Sequence, residues 1–202
     1  MPSPTNDRVT IRGTEILSKN WGTLSKVTFD YHRADGETQT LSREVYDRGH
    51  GAAILLYDPS RDTVLLTRQF RLPAFVVGHP APLIEICAGL LDARDPEECI
   101  RAEAEEETGV RVRRPRRVFE AFMSPGSVTE TLTFFVADYA VGDRVSAGGG
   151  KADEGEDIEI LEPTLDEALA MVARGEIIDG KTIMMLSWFK LEQLGAAPKV
   201  GA

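Results

Sequence analysis

AGLLDARDPEECIRAEAEEETGV, residues 88–110, decides the reading of the fold, because it sets Glu103, Glu106 and Glu107 on one turn of a helix whose two ends are legible. Asp95 offers a capping side chain, Pro96 suits the first helical position, and Glu98 follows the cap by three residues. Gly109 is the residue type that ends helices in the left-handed conformation, so the pattern predicts a helix from Asp95 to Gly109. At about 100° per residue, Glu103 and Glu107 share a face and Glu106 lies beside them. Cys99, Ala102 and Glu106 fall near one face, as do Ile100, Glu103 and Glu107, so the acids border an apolar stripe. Carboxylates this close raise one another's pKa unless a cation lies between them. A hard divalent cation with oxygen ligands, magnesium above all, suits that place. A solvated acidic helix face is the competing reading of the same run.

Working outward, Val27, Phe29 and Tyr31 alternate with polar neighbours, and Asp35-Gly36 is a turn signal before a strand over Thr38 to Val45. Residues from about 8 to 46 therefore form a small antiparallel unit that needs something to pack against. Ala52 to Tyr57 and Thr63 to Phe70 read as paired strands joined by a turn at Asp58-Pro59-Ser60-Arg61-Asp62. Leu72 to Pro82, with Pro73, Gly78, Pro80 and Pro82, reads as a loop, and Leu83 to Cys87 as a short strand leading into Gly89. Further strands are expected over Arg117 to Phe122, Thr131 to Tyr139 and Ile158 to Leu161, and helices over Leu165 to Arg174 and Thr182 to Leu194. Helices packed on both faces of a mixed sheet account for this order, an α/β or α+β architecture.

A chain of 202 residues with 42% hydrophobic and 28% charged residues has the make-up of one globular domain, or one with an appendage. The net charge of −10 argues against nucleic acid as partner. The five arginines between Arg111 and Arg117 have no aromatic residues interleaved for stacking and read as a solubilising flank. Cys87 and Cys99 form no CxxC and read as buried small hydrophobes. MPSPTNDRVT has no apolar segment, so neither signal peptide nor membrane anchor is expected, and cytoplasmic location is the default.

A second acidic constellation, Glu154-Gly155-Glu156-Asp157-Ile158-Glu159, follows the glycines at 148–150, which can bring acids to one place or leave a mobile surface loop. Gly175-Glu176-Ile177-Ile178-Asp179-Gly180-Lys181-Thr182 satisfies the phosphate-loop expression GxxxxGK[ST], but a helix rather than a strand is expected before it, and two acids and two isoleucines fill the loop. Lys181, at the start of the last helix, remains a candidate phosphate contact. His32, His50 and His79 have no zinc-ligand spacing, no GxSxG elbow occurs, and Arg48-Gly49-His50-Gly51 precedes a strand rather than a helix.

The 88–110 string resembles the Nudix box of the Nudix hydrolases, which runs Gly, five residues, Glu, seven residues, then Arg-Glu-apolar-x-Glu-Glu-x-Gly-apolar. Ala102 stands where the pattern has arginine, with Arg101 adjacent; Gly89 lies one residue closer than the pattern requires; no glutamate holds the middle position. Outside the box, ILSKNWGTL (16–24), REVYDRGHGAAILLYDP (43–59), RQFRLP (68–73), MSPGSVTE (123–130), AGGG (147–150), GEDIE (155–159) and GEIIDGKT (175–182) are similar to the GDP-mannose pyrophosphatase branch of that family. The resemblance implies the Nudix fold, a mixed β-sheet sandwiched between helices, with an N-terminal antiparallel β extension over 1–46, a hydrolase domain over 47–196 and a tail over 197–202. It implies a Mg2+-dependent enzyme, Mn2+ being an alternative, that cuts the diphosphate of GDP-mannose to GMP and mannose 1-phosphate. ADP-ribose or another nucleotide sugar is the alternative substrate. Implied metal ligands are the Ala88 carbonyl with Glu103, Glu107 and Glu156, and the implied base is Glu154, with Glu106 its rival. Implied substrate contacts are Trp21, Arg43, Glu44, Arg71, Leu90, Glu130 and Lys181. Trp21 can stack on a base, and the cations can neutralise a diphosphate. A homodimer whose N-terminal strands reach the partner is implied as well.

Overall fold

In the computed structural model, which describes residues 6–151, 153 and 155–196, the N-terminal residues make a sheet of their own. β1 (Val9–Lys19), β2 (Thr23–His32) and β3 (Thr38–Asp47) pair antiparallel in that order. The Asp35-Gly36 signal makes the β2–β3 turn, with Gly36 at φ +87°. Asp30 on the central strand is buried and accepts from Arg12 and Thr40, which hold its carboxyl below the usual range. This sheet forms one unit with Phe122–Thr131, through Tyr46 N donating to Ser127 O at 2.8 Å and Thr129 Oγ1 to Asp47 Oδ1 at 3.0 Å. It leaves Ile11, Ile16, Leu17 and Trp21 exposed.

The second unit comprises Gly51–Ala121 and the chain from Leu132 onward. Its strands are β4 (Gly51–Asp58), β5 (Thr63–Gln69), β6 (Leu83–Glu85), β7 (Cys87–Leu90), β8 (Arg116–Phe122), β9 (Thr131–Asp138) and β10 (Glu159–Leu161). The main order is β10-β5-β4-β9-β8, with β6 pairing β5 and β7 pairing β4. β4 runs parallel to β9 and antiparallel to β5 and β7, so the sheet is mixed. β4 is an almost unbroken buried apolar run, as expected of a strand covered on both faces.

Among the described residues four α-helices accompany the sheet: α1 (Leu72–Val76), α2 (Pro96–Thr108), α3 (Leu165–Ala173) and α4 (Gly180–Gln193). On one face Ile54, Leu56, Leu65 and Phe135 pack with Ile100 and Ala104 of α2. On the other, Tyr57 meets Phe189 of α4 edge to face at 4.9 Å, and Phe119 touches both Phe134 and Trp188. The sandwich of helices about a mixed sheet is therefore as expected. One local expectation fails: 72–82 is not all loop, because Pro73 sits at the start of α1, where its missing N–H costs nothing. Among the described residues no helix is long and apolar enough to cross a membrane.

Candidate active site

α2 begins and ends where its sequence dictates. Asp95 accepts from Glu97 N at 2.9 Å and Glu98 N at 3.4 Å, and Gly109 takes φ +74°. Those ends fix the rotation of the helix, which buries Cys99, Ile100, Ala104 and Glu107, leaves Ala102 exposed, and sets Glu103 at the boundary. Glu103 then lies across β7. A Cβ at Gly89 would stand 2.3 Å from Glu103 Cδ, so only glycine lets the carboxylate settle on that backbone.

Glu107 is the unusual member. It is only 4% exposed, its Oε2 is buried without a hydrogen-bond partner among the described residues, and burial pushes its carboxyl up to about 7. The Cys87 thiol and Arg71 pull it back, whereas neighbouring Glu103 and Glu156 push it further up. Glu103 is raised as well, chiefly by burial, with Arg94 opposing.

The glycines at 148–150 are docked, not loose. Gly149 N donates to Glu107 O at 2.8 Å and Gly150 N to Glu106 O at 3.3 Å, satisfying carbonyls at the C-terminal end of α2. All three glycines have positive φ, and a Cβ on Gly150 would lie 2.5 Å from Glu156 Oε2. The loop so shaped brings Glu156 to the helix, where its Oε2 accepts from Lys151 N at 2.9 Å. Glu106 pairs with Lys151 Nζ at 2.8 Å. Glu154 lies outside the described residues. Beside this loop a cleft of about 300 Å³ is lined by Arg68, Phe70, Asp157 and Glu159 among others.

Two cations converge on a further acid, Glu85. Arg71 Nε binds Glu85 Oε2 at 2.7 Å, and Lys181 Nζ binds Glu85 Oε1 at 2.5 Å and Asp179 Oδ2 at 3.1 Å. Glu85 is 3% exposed, so one buried carboxylate anchors both. The phosphate-loop reading of 175–182 ends here: α3, a helix rather than a strand, precedes the string, and Asp179 caps α4 by accepting from Thr182 N.

The remaining sequence candidates divide between the units. Ala88 and Leu90 lie on β7, where Leu90 O accepts from Arg94 and from Cys99 Sγ. Arg43, Glu44, Trp21 and Glu130 belong to the N-terminal unit. Within it Arg48 lies over the Trp21 ring at 5.2 Å and pairs with Glu130 at 3.1 Å. Sequence reasoning missed Arg48, Glu85, Arg94 and Lys151 as partners of these residues, because ion pairs between separate elements leave no local pattern.

The residues fit a divalent cation. The candidate donors expected from the sequence, carboxylates and the Ala88 carbonyl, are of the kind hard cations take, and one buried oxygen of Glu107 has no hydrogen-bond partner among the described residues. Among the described residues no three acids are closed on one point; Glu103, Glu106 and Glu156 are held by Arg94 and Lys151 instead.

Fold and site define a hydrolase acting on phosphorus-containing anhydrides. Residues 47–201 match the NUDIX domain, and residues 8–46 match the GDP-mannose pyrophosphatase NudK N-terminal domain. The chain belongs to the Nudix family. It is 50% identical over 188 residues to the GDP-mannose pyrophosphatases of Escherichia coli O1:K1 / APEC and of Shigella dysenteriae serotype 1 (strain Sd197), covering 93% of this chain and 97% of each relative. A solved structure, described as the crystal structure of ADP compounds hydrolase, shares the fold with a TM-score of 0.70 at 17% identity, covering 96% of this chain and all of that one.

Proposed function

We propose that this hydrolase cleaves the diphosphate of GDP-mannose to GMP and mannose 1-phosphate, with Mg2+ as its cation and Mn2+ as a substitute. The observation that carries the reading is Glu107: a buried carboxylate with an unpartnered oxygen, beside two more acids and within reach of Arg71. In a chain half identical to GDP-mannose pyrophosphatases, that arrangement suits a metal-bound diphosphate better than a structural acid. Glu103, Glu107, Glu156 and the Ala88 carbonyl would hold the cation. When bound, it would polarise the phosphoryl oxygens and lower the pKa of water.

The chain's own groups do the rest. Arg71 and Lys181, held on Glu85, neutralise the diphosphate. Glu154 accepts the proton of the attacking water or, failing it, Glu106, half-buried beside Lys151, does so. Arg43 joins Arg71 and Lys181 on the diphosphate, Trp21 stacks on the base, and Glu44, Leu90 and Glu130 contact the rest of the substrate. We further propose a cytoplasmic homodimer in which the extension 1–46 serves assembly and 47–196 forms the hydrolase domain; the expected tail, 197–202, lies outside the described residues. A β1 that exposes Ile11, Ile16 and Leu17 supports a partner-facing sheet.

The test is product analysis across a panel of nucleotide sugars with Mg2+. Release of GMP and mannose 1-phosphate from GDP-mannose, lost in Glu107→Gln, is the expected result. Rapid cleavage of ADP-ribose with GDP-mannose left intact would move the substrate assignment and leave the class standing.

A further inference from the structure

The cation that faces Glu103 comes from an unexpected place. Position 102, where the box pattern has arginine, is an alanine. The adjacent Arg101 is turned away, to Glu97 Oε1 at 2.6 Å and to the carbonyls of Val112 and Arg113 at 2.6 Å each. Arg94, in the loop before α2, reaches Glu103 Oε1 with one terminal nitrogen at 3.0 Å. The same nitrogen donates to Leu90 O at 3.2 Å, and its Nε to Leu91 O at 3.3 Å. One guanidinium thus ties the helix acid to the end of the strand that carries Ala88.

The loop is bent to allow this. Asp92 and Ala93 both have positive φ, 44° and 69°, although neither is glycine. Consecutive left-handed residues of this kind persist only where their surroundings over-determine them, and they cluster at functional sites. The bend brings the chain back so that Arg94 N donates to Leu91 O at 2.7 Å and the side chain points at Glu103.

We propose that Arg94 is a positioning residue for the metal-binding carboxylate Glu103. It engages Oε1, fixes the carboxylate against Gly89 and leaves the second oxygen for the cation. The inference rests on the proposed metal site, and it assigns to this loop a part that the α2 sequence does not supply. Partners of metal ligands commonly matter by about 10–100-fold in metal affinity.

Manganese binding to the substrate-free protein tests it, read by calorimetry and by the electron paramagnetic resonance of free Mn2+. Arg94→Ala is expected to weaken Mn2+ binding by about tenfold or more, with Arg101→Ala unchanged in affinity and circular dichroism showing both folded. If Arg94→Ala does not fold, Arg94→Gln, which keeps part of the stem without the charge, is read by the same criterion. Affinity equal to wild type, or tighter because a repelling charge has gone, overturns the proposal. Wild-type protein that binds no Mn2+ overturns the metal site itself, so the two failures are distinguishable.

Discussion

Glu107→Gln separates the cost of a buried charge from the benefit of a bound cation. Burial lifts the folded carboxyl from 4.5 to about 7. The folded protein therefore holds a proton that the unfolded chain releases across that interval, and metal-free stability falls as pH rises from about 4.5 through 7. At about 1.4 kcal/mol per pH unit, that difference corresponds to about 3 kcal/mol. A glutamine has its own burial cost, but that cost does not change with pH. Urea unfolding in EDTA at a series of pH values reads the contrast as midpoint times slope. Between pH 4 and 8 the stability of Glu107→Gln relative to wild type should rise by about 3 kcal/mol. Adding Mg2+ at a hundred times its dissociation constant should return about 2.7 kcal/mol to wild type and little to the variant. Parallel pH curves for the two proteins would refute the reasoning, because Glu107 would then carry no burial cost for a cation to relieve.

Other perturbations follow from single contacts. Gly89→Ala puts a Cβ 2.3 Å from Glu103 Cδ and should cut kcat at least tenfold, while Gly142→Ala, with nothing within 4 Å, should be silent in the same assay. Gly150→Ala is penalised twice, by φ +77° and by Glu156 at 2.5 Å, and should weaken Mn2+ binding in calorimetry. Lys181→Met removes a diphosphate contact and leaves Glu85 half paired; KM for GDP-mannose should rise, by steady-state kinetics, and stability should drop by about 1.5 kcal/mol, because one charge-assisted bond is lost while Arg71 still holds Glu85. Asp95→Ala removes the α2 cap and should cost about 1 kcal/mol in urea unfolding.

Much of this architecture could be read before any coordinates. The bounds of α2 were written in Asp95, Pro96 and Gly109, because capping and left-handed termination are local chemistry. The strands β4 and β5 announced themselves by apolar runs around a turn-rich segment. The short α1 was hidden by Pro73, read as a breaker where it opens a helical turn. Which acid lies where was only half legible. Helical spacing put Glu103 and Glu107 together, but the orphaned oxygen of Glu107 depends on its burial beside Cys87 of β7. The anchoring of Arg71 and Lys181 on Glu85 joins residues 14 and 96 positions apart, and no periodicity encodes such a contact. The docking of 148–150 on the end of α2 was similarly invisible, since a glycine run reads as freedom until its amides find carbonyls.

Anomalous diffraction from crystals soaked in Mn2+ and GDP-mannose products addresses the main assertion with the fewest intermediaries. A metal peak at about 2.1 Å from oxygens of Glu103, Glu107 and Glu156, with a phosphate beside Arg71, is the result this account predicts. Glu107 still unpartnered, Glu156 still turned to Lys151 N, and metal density elsewhere or nowhere would contradict it.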